Sequence, residues 1–176
     1  AHPQLTIEVK DLRAGPIEDL LVRGDLDMGI GFHPSKHADI EVEPLFDERM
    51  VLVVGKTHRL ADRRSISLRQ LADVPLALLP RSFATRGLID VSLRKAGVEP
   101  NVPVQMESVE ALLGVCLFGT MAAIVPERAA VQTPELRVIA LTHPTIIRHA
   151  GILWRRGTSR SPAARRFSEM LISSCR

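Results

Sequence analysis

The sequence predicts an α/β fold, and three observations carry that prediction. Short apolar runs of strand character alternate with amphipathic helical stretches along the whole 176-residue chain. Residues 5–32 read as strand, helix and strand, the span of a right-handed βαβ crossover. The chain is also long enough to bury about 70% of its unfolded surface, so a core needs no metal or disulfide staple.

The elements follow in order. Leu5-Thr6-Ile7-Glu8-Val9 alternates apolar and polar residues, as a half-buried strand does. Gly15-Pro16 breaks the chain, and Ile17, Leu20 and Leu21 recur at helical spacing. Glu18 and Asp19 suit the positive end of that helix, and Gly24 stops it. Residues 28–32 form a short apolar strand containing Gly29 and Gly31, and residues 33–39 a polar loop. Val42, Leu45 and Phe46 lie on an extended segment, followed by a strong strand over 49–55 and a charged turn over 58–64. Ser67 and Gln70 have capping-box spacing at the start of a short helix reaching Ala72.

Residues 76–79 make a strand that Pro80 ends. A helix over 85–96 carries Ile89, Leu93 and Ala96 on one stripe and stops at Gly97. A strand over 103–106 precedes the best amphipathic helix, with Val109, Leu112, Leu113, Cys116 and Leu117 on one face and Gly119 as its stop. Residues 121–125 form a strand, Pro126 opens a short helix, and 137–141 form another strand. The last strand covers 150–154. After Ser161-Pro162 a closing helix carries Phe167, Met170 and Leu171 on one stripe.

Composition narrows the function. Lys+Arg 23 against Asp+Glu 20 leaves +3, too small an excess to imply a nucleic-acid surface. With no Tyr, one Trp and five Phe, the chain lacks the aromatic platforms of a single-strand reader. Cys116 reads as a small core residue and Cys175 as a terminal one, which fits a reduced, cytoplasmic setting. No apolar run is long enough to span a membrane.

Catalytic motifs are weak. Gly29-Ile30-Gly31 opens like a dinucleotide turn, but Pro34 stands at the third glycine position, so close strand packing is the plainer reading. His33 and His37 have ligand spacing, yet Pro34 disfavours the helix that would align them. Asp25 and Asp27 read as turn residues rather than an acid/base pair. No nucleophile elbow or phosphate loop occurs, and the sequence gives no case for an enzyme, a cofactor or a metal. The most suggestive segment is Pro80-Arg81-Ser82-Phe83-Ala84-Thr85-Arg86, where a buried strand meets a helix start. Free N–H groups there favour an anion, Ser82 and Thr85 offer hydroxyls, and Phe83 offers an apolar wall. The plainer reading is N-capping by Ser82, with Arg81 and Arg86 as solvated charges.

An ordered set of segments now resembles a known family. It comprises His2-Pro3-Gln4-Leu5-Thr6-Ile7-Glu8-Val9, Leu20-Leu21-Val22-Arg23-Gly24-Asp25-Leu26-Asp27-Met28-Gly29-Ile30, Glu43-Pro44-Leu45-Phe46-Asp47-Glu48-Arg49-Met50-Val51-Leu52-Val53-Val54, and the His58-Arg59-Leu60-Ala61 turn. Ser67 to Ala72, Ile124-Val125-Pro126 and the unit from Trp154 to Phe167 complete it. Together these resemble the effector-sensing domain of LysR-type transcriptional regulators. The Phe83-Ala84-Thr85-Arg86 element looks most like the subgroup of the cyanate-operon regulator.

The resemblance implies two Rossmann-like subdomains of periplasmic-binding-protein type II architecture. Subdomain I would take residues 1–79 and 147–176, and subdomain II residues 80–146, with crossing strands near Leu79 and Ala150. It implies a small effector, an anion or carboxylate among the candidates, held in the cleft by Arg13, Ala14, Gly31, Phe32, His33, Ser82, Phe83 and Thr85. It implies homo-oligomers, dimeric or tetrameric, paired through the helix from Ser108 to Phe118. DNA would be bound only by an N-terminal domain absent from this chain. The family's first strand and helix, roughly 20–25 residues, would precede Pro3, leaving subdomain I short of that unit. A free-standing periplasmic-type solute-binding protein is the alternative on the same architecture.

Overall fold

A computed structural model describes residues 6–33, 35 and 37–175. Its contacts divide the chain into two compact units: Ala1–Asp47 with His149–Arg176 (unit 1), and Glu48–Arg148 (unit 2). The first passage therefore falls between Asp47 and Glu48, not near Leu79. The cause is a single long strand, β2 (Ile40–Gly55), where the sequence suggests two separate extended pieces. The later half of β2 is hydrogen-bonded into the sheet of unit 2, which binds residues 48–79 to that unit.

Unit 2 is built on β2. Met50–Val54 pairs antiparallel with β6 (Ala122–Pro126) on one side, and Val51–Gly55 with β7 (Leu136–Thr142) on the other. β3 (Ser65–Ser67) runs parallel to β7, and β4 (Leu76–Leu78) parallel to both β6 and β5 (Val104–Gln105). The apolar run in β2 is continuous because both faces of this sheet are covered. Met50, Leu52 and Val54 join Leu68, Leu76, Ile89, Leu93 and Ile124 on one face, beneath α2 (Ala84–Lys95). Val51 and Val53 join Leu112, Cys116 and Val125 on the other, beneath α3 (Val109–Cys116). Ser108 caps α3, accepting the Ala111 N–H at 3.1 Å, and α4 (Glu127–Ala130) follows β6. The expected helix at Ser67 is a 3-10 turn, Leu68–Leu71, though Gln70 Oε1 does accept the Ser67 N–H at 3.1 Å.

Unit 1 holds α1 (Ala14–Arg23), β1 (Gly29–His33), the first part of β2, β8 (Ile147–Arg155) from His149 onward, and α5 (Pro162–Ser174). β1 pairs antiparallel with β8, from Gly29 opposite Leu153 to His33 opposite His149. Leu21, Ile40 and Leu153 form one small core, and Ile152, Trp154 and Ala164 another. A Cβ on Gly29 would stand 2.5 Å from Ile17 of α1, so this glycine lets helix and strand close up. Ser161 caps α5 through the Ala164 N–H at 3.1 Å, while Met170 points to solvent at 53% exposure rather than joining the buried stripe.

One expected element does not form. Leu5 lies outside the described residues, and Thr6–Lys10 is neither strand nor buried: Ile7 is 56% and Val9 85% exposed. Alternation supplies the propensity for a strand, but a strand also needs a ladder partner. Among the described residues none pairs with this segment, so the expected βαβ crossover is absent there.

Candidate functional site

In unit 2 the chain leaves β4, turns at Pro80 and enters α2. The N-cap of α2 is Phe83, not Ser82, and no side chain caps it. The first backbone bond is Gly87 N–H to Phe83 C=O at 3.2 Å. The N–H groups of Ala84, Thr85 and Arg86 therefore stand without partners among the described residues, as those of an uncapped helix start do. Ser82 is exposed with no hydrogen bond among the described residues, so the capping reading fails. Phe83 is half-buried against the core beneath α3. These groups are donors at the positive end of a helix, suited to an oxygen-rich ligand.

Two arginines, Arg86 and Arg148, are tied up around this start, and of the two expected solvated charges, Arg81 and Arg86, the second is buried. Arg86 is 3% exposed; it donates to Asp90 at 2.8 Å and to the Leu79 carbonyl at 2.8 Å, tying α2 to the end of β4. Arg148 donates Nη1 to Thr85 Oγ1 at 3.3 Å, and Nε and Nη2 to Glu48 Oε2 at 2.9 and 2.6 Å. Glu48 and Thr85 are both buried. Arg81, by contrast, is exposed. Sequence reasoning missed Glu48 and Arg148. The signal was present: stepping back by two from Met50 along β2 puts Glu48 on the buried face.

The remaining expected residues belong to unit 1. Gly31 and Phe32 lie in β1, Gly31 buried opposite Gly151 and Phe32 half-buried opposite Ala150. His33 ends β1 opposite His149, whose Nδ1 lies 2.6 Å from Asp47 Oδ1. Arg13 is the exposed N-cap of α1, and Ala14 its half-buried first residue. The structure thus groups Ser82, Phe83 and Thr85 on one element of unit 2, and the other five on two elements of unit 1. A hollow of about 550 Å³ in unit 1 is lined by residues 6–12, 25–30 and parts of α1 and α5; none of the eight residues lines it.

Other candidates resolve plainly. A Cβ on Gly31 would approach Leu153 to 2.9 Å, so both glycines of Gly29-Ile30-Gly31 serve close packing. Asp25 pairs with Arg23 at 3.3 Å. No group of three or more His, Cys, Asp or Glu that could hold a metal occurs among the described residues. Cys116 is fully buried, and burial pushes its thiol up to about 12.

Comparison with known proteins decides the family. The model for the LysR substrate binding domain matches residues 1–176. The chain belongs to the LysR substrate-binding domain family. Its fold is accordingly the type II periplasmic-binding-protein fold. It is 27% identical over 172 residues to the Bacillus subtilis HTH-type transcriptional regulator YybE, covering 98% of this chain and 59% of that protein. It is 28% identical over 151 residues to the transcriptional dual regulator GltC of the same species, covering 84% and 50%. This LysR-family chain thus spans between half and three-fifths of these relatives' length. Among solved structures, the effector-binding domain of QuiR in complex with shikimate has a TM-score of 0.87 at 23% identity, covering 98% of this chain and 83% of that one. The Synechocystis CcmR regulatory domain in complex with 2-PG also has a TM-score of 0.87, at 18% identity, covering 99% and 86%. The relatives named here do not single out the cyanate subgroup.

Proposed function

We propose that this chain is the effector-sensing part of a LysR-type transcriptional regulator, and that it binds a small molecule bearing a carboxylate or similar oxygen-rich group. The observation that carries the reading is the uncapped start of α2, with the Ala84, Thr85 and Arg86 N–H groups beside the Ser82 and Thr85 hydroxyls and the Phe83 ring. Ligand binding then biases the conformation of the module by its differential affinity for the states available. DNA is contacted by sequence outside this chain, and the protein works in the cytoplasm without a cofactor. Copies pair through α3, whose continuation leaves Leu117 49% and Phe118 84% exposed.

Titration with shikimate, benzoate and inorganic phosphate, followed by thermal midpoint and Trp154 fluorescence, tests the site. The wild-type chain should respond to at least one, and a Ser82→Ala/Thr85→Ala variant should not. Equal responses would remove these residues from the site. Light scattering of Phe118→Glu against wild type tests the pairing; an unchanged mass would exclude α3 as the contact.

A further inference from the structure

Thr85 lies on the first turn of α2 with only 8% of its surface exposed. Its hydroxyl oxygen accepts from Arg148 Nη1 at 3.3 Å, and the hydroxyl proton finds no acceptor among the described residues. Arg148 cannot swing freely, because Glu48 Oε2 holds both Nε and Nη2. Glu48 is itself 6% exposed. The ion pair therefore turns its cationic end toward Thr85.

A hydroxyl has one proton and two lone pairs, and arginine has donors only. With Arg148 on a lone pair, the Thr85 proton is left for another acceptor. The adjacent positive charge also polarises the O–H bond, which makes it a stronger donor. The backbone beside it has the same polarity, since the Ala84, Thr85 and Arg86 N–H groups can only donate. Arg86 directs Nε to Asp90 and Nη1 to the Leu79 carbonyl and Gln105.

We propose that Arg148 is a positioning residue for the effector: held by Glu48, it fixes Thr85 as a hydrogen-bond donor, so the site selects ligands that place a carboxylate or phosphoryl oxygen there. This rests on reading the start of α2 as the effector site. It adds a rule of selection, set by two residues on strands far from α2 in sequence.

The test is isothermal titration of wild type with shikimate, benzoate and inorganic phosphate, carrying the tightest binder to variants. Thr85→Ser, which keeps the hydroxyl, should hold the affinity within about threefold, and Thr85→Val should lose about tenfold or more. The Glu48→Gln/Arg148→Met double variant removes both charges and keeps most of the packing; it should lose about tenfold. Arg148→Lys should recover part of that loss, a rescue that a purely structural role does not predict. Should the double variant fail to fold, the single Arg148→Gln variant is titrated beside Thr85→Ser and Thr85→Val, and an affinity unchanged from wild type in it overturns the positioning role. Unchanged affinity in Thr85→Val, or in a folded double variant, would overturn the positioning role and leave the effector site standing. Failure of all three probes to bind wild type would overturn both.

Discussion

Unit 2 and unit 1 are built on the same layered plan, yet they close differently. In unit 2 the sheet is covered on both faces, by α2 on one and α3 on the other, and its large cores meet along β2. Its outermost strands are short, three residues in β3 and two in β5. Unit 1 has two small cores around Leu21 and Trp154, an outer strand β1 of five residues, and a run at 6–12 that lines a hollow instead of joining a sheet. Coverage on both faces, more than strand count, separates a closed unit from an open one.

The largest expected effect breaks the two cores in turn. Leu52 and Leu21 are both fully buried. Leu52→Ala should cost about 3–4 kcal/mol and lower the thermal midpoint by about 10 °C. Leu21→Ala sits in a looser core that can collapse around the gap, and should cost about 2 kcal/mol. Equal losses by calorimetry would show that the units melt as one body with equal packing.

Matched helix caps sharpen the comparison. Ser108 of α3 and Ser161 of α5 each accept the N–H three residues on, at 3.1 Å. Either serine changed to Ala should cost about 1 kcal/mol. A smaller loss of midpoint for Ser161→Ala than for Ser108→Ala would report that unit 1 opens before unit 2.

The thiols divide the same way, one to each unit. Cys116 in unit 2 is buried, with a thiol raised to about 12, so at pH 8 it should stay unreactive in the folded chain. Cys175 in unit 1 is only half-buried and should react with a disulfide reagent within minutes. Rapid modification of Cys116 in the native chain would contradict the closed core beneath α3.

The smallest effect is a pH dependence in unit 2. Burial, and then the neighbouring Arg59 charge, lower the pKa of His58 below 6.5. Its Nδ1 accepts the Leu60 N–H at 3.1 Å, a bond that the neutral ring alone can make. As pH falls through 6.5 the unfolded chain takes the proton first, so stability should decline and then level off below the folded pKa. His58→Asn should flatten that slope in denaturant melts at pH 5–7.

Much of unit 2 was legible in the sequence because its patterns are strong. The helical stripe of Ile89 and Leu93, the helix that starts at Ser108 and the apolar run of β2 all fold as their spacing predicts. Arg86 and Glu48 were not legible as buried residues, since a charge reads as solvated until a partner distant in sequence is known. Asp90 lies four residues from Arg86, but Arg148 lies a hundred from Glu48. The run from Leu5 to Val9 failed for the opposite reason: its local pattern is good, and its ladder partner is a non-local matter. Of the expected site residues, Ser82, Phe83 and Thr85 do share one helix start, because the Pro80 break and the helical stripe behind it are both local signals.

The outer rim of β1 has one more bearing on how the molecule behaves. Gly29-Ile30-Gly31-Phe32 carries no charge and no proline, the two devices that keep such a rim from recruiting neighbours. Among the described residues β1 pairs only with β8, and wherever the other side of such a strand stays uncovered its amides and carbonyls are a template on which an extended peptide, a second copy of this chain included, can register at high concentration.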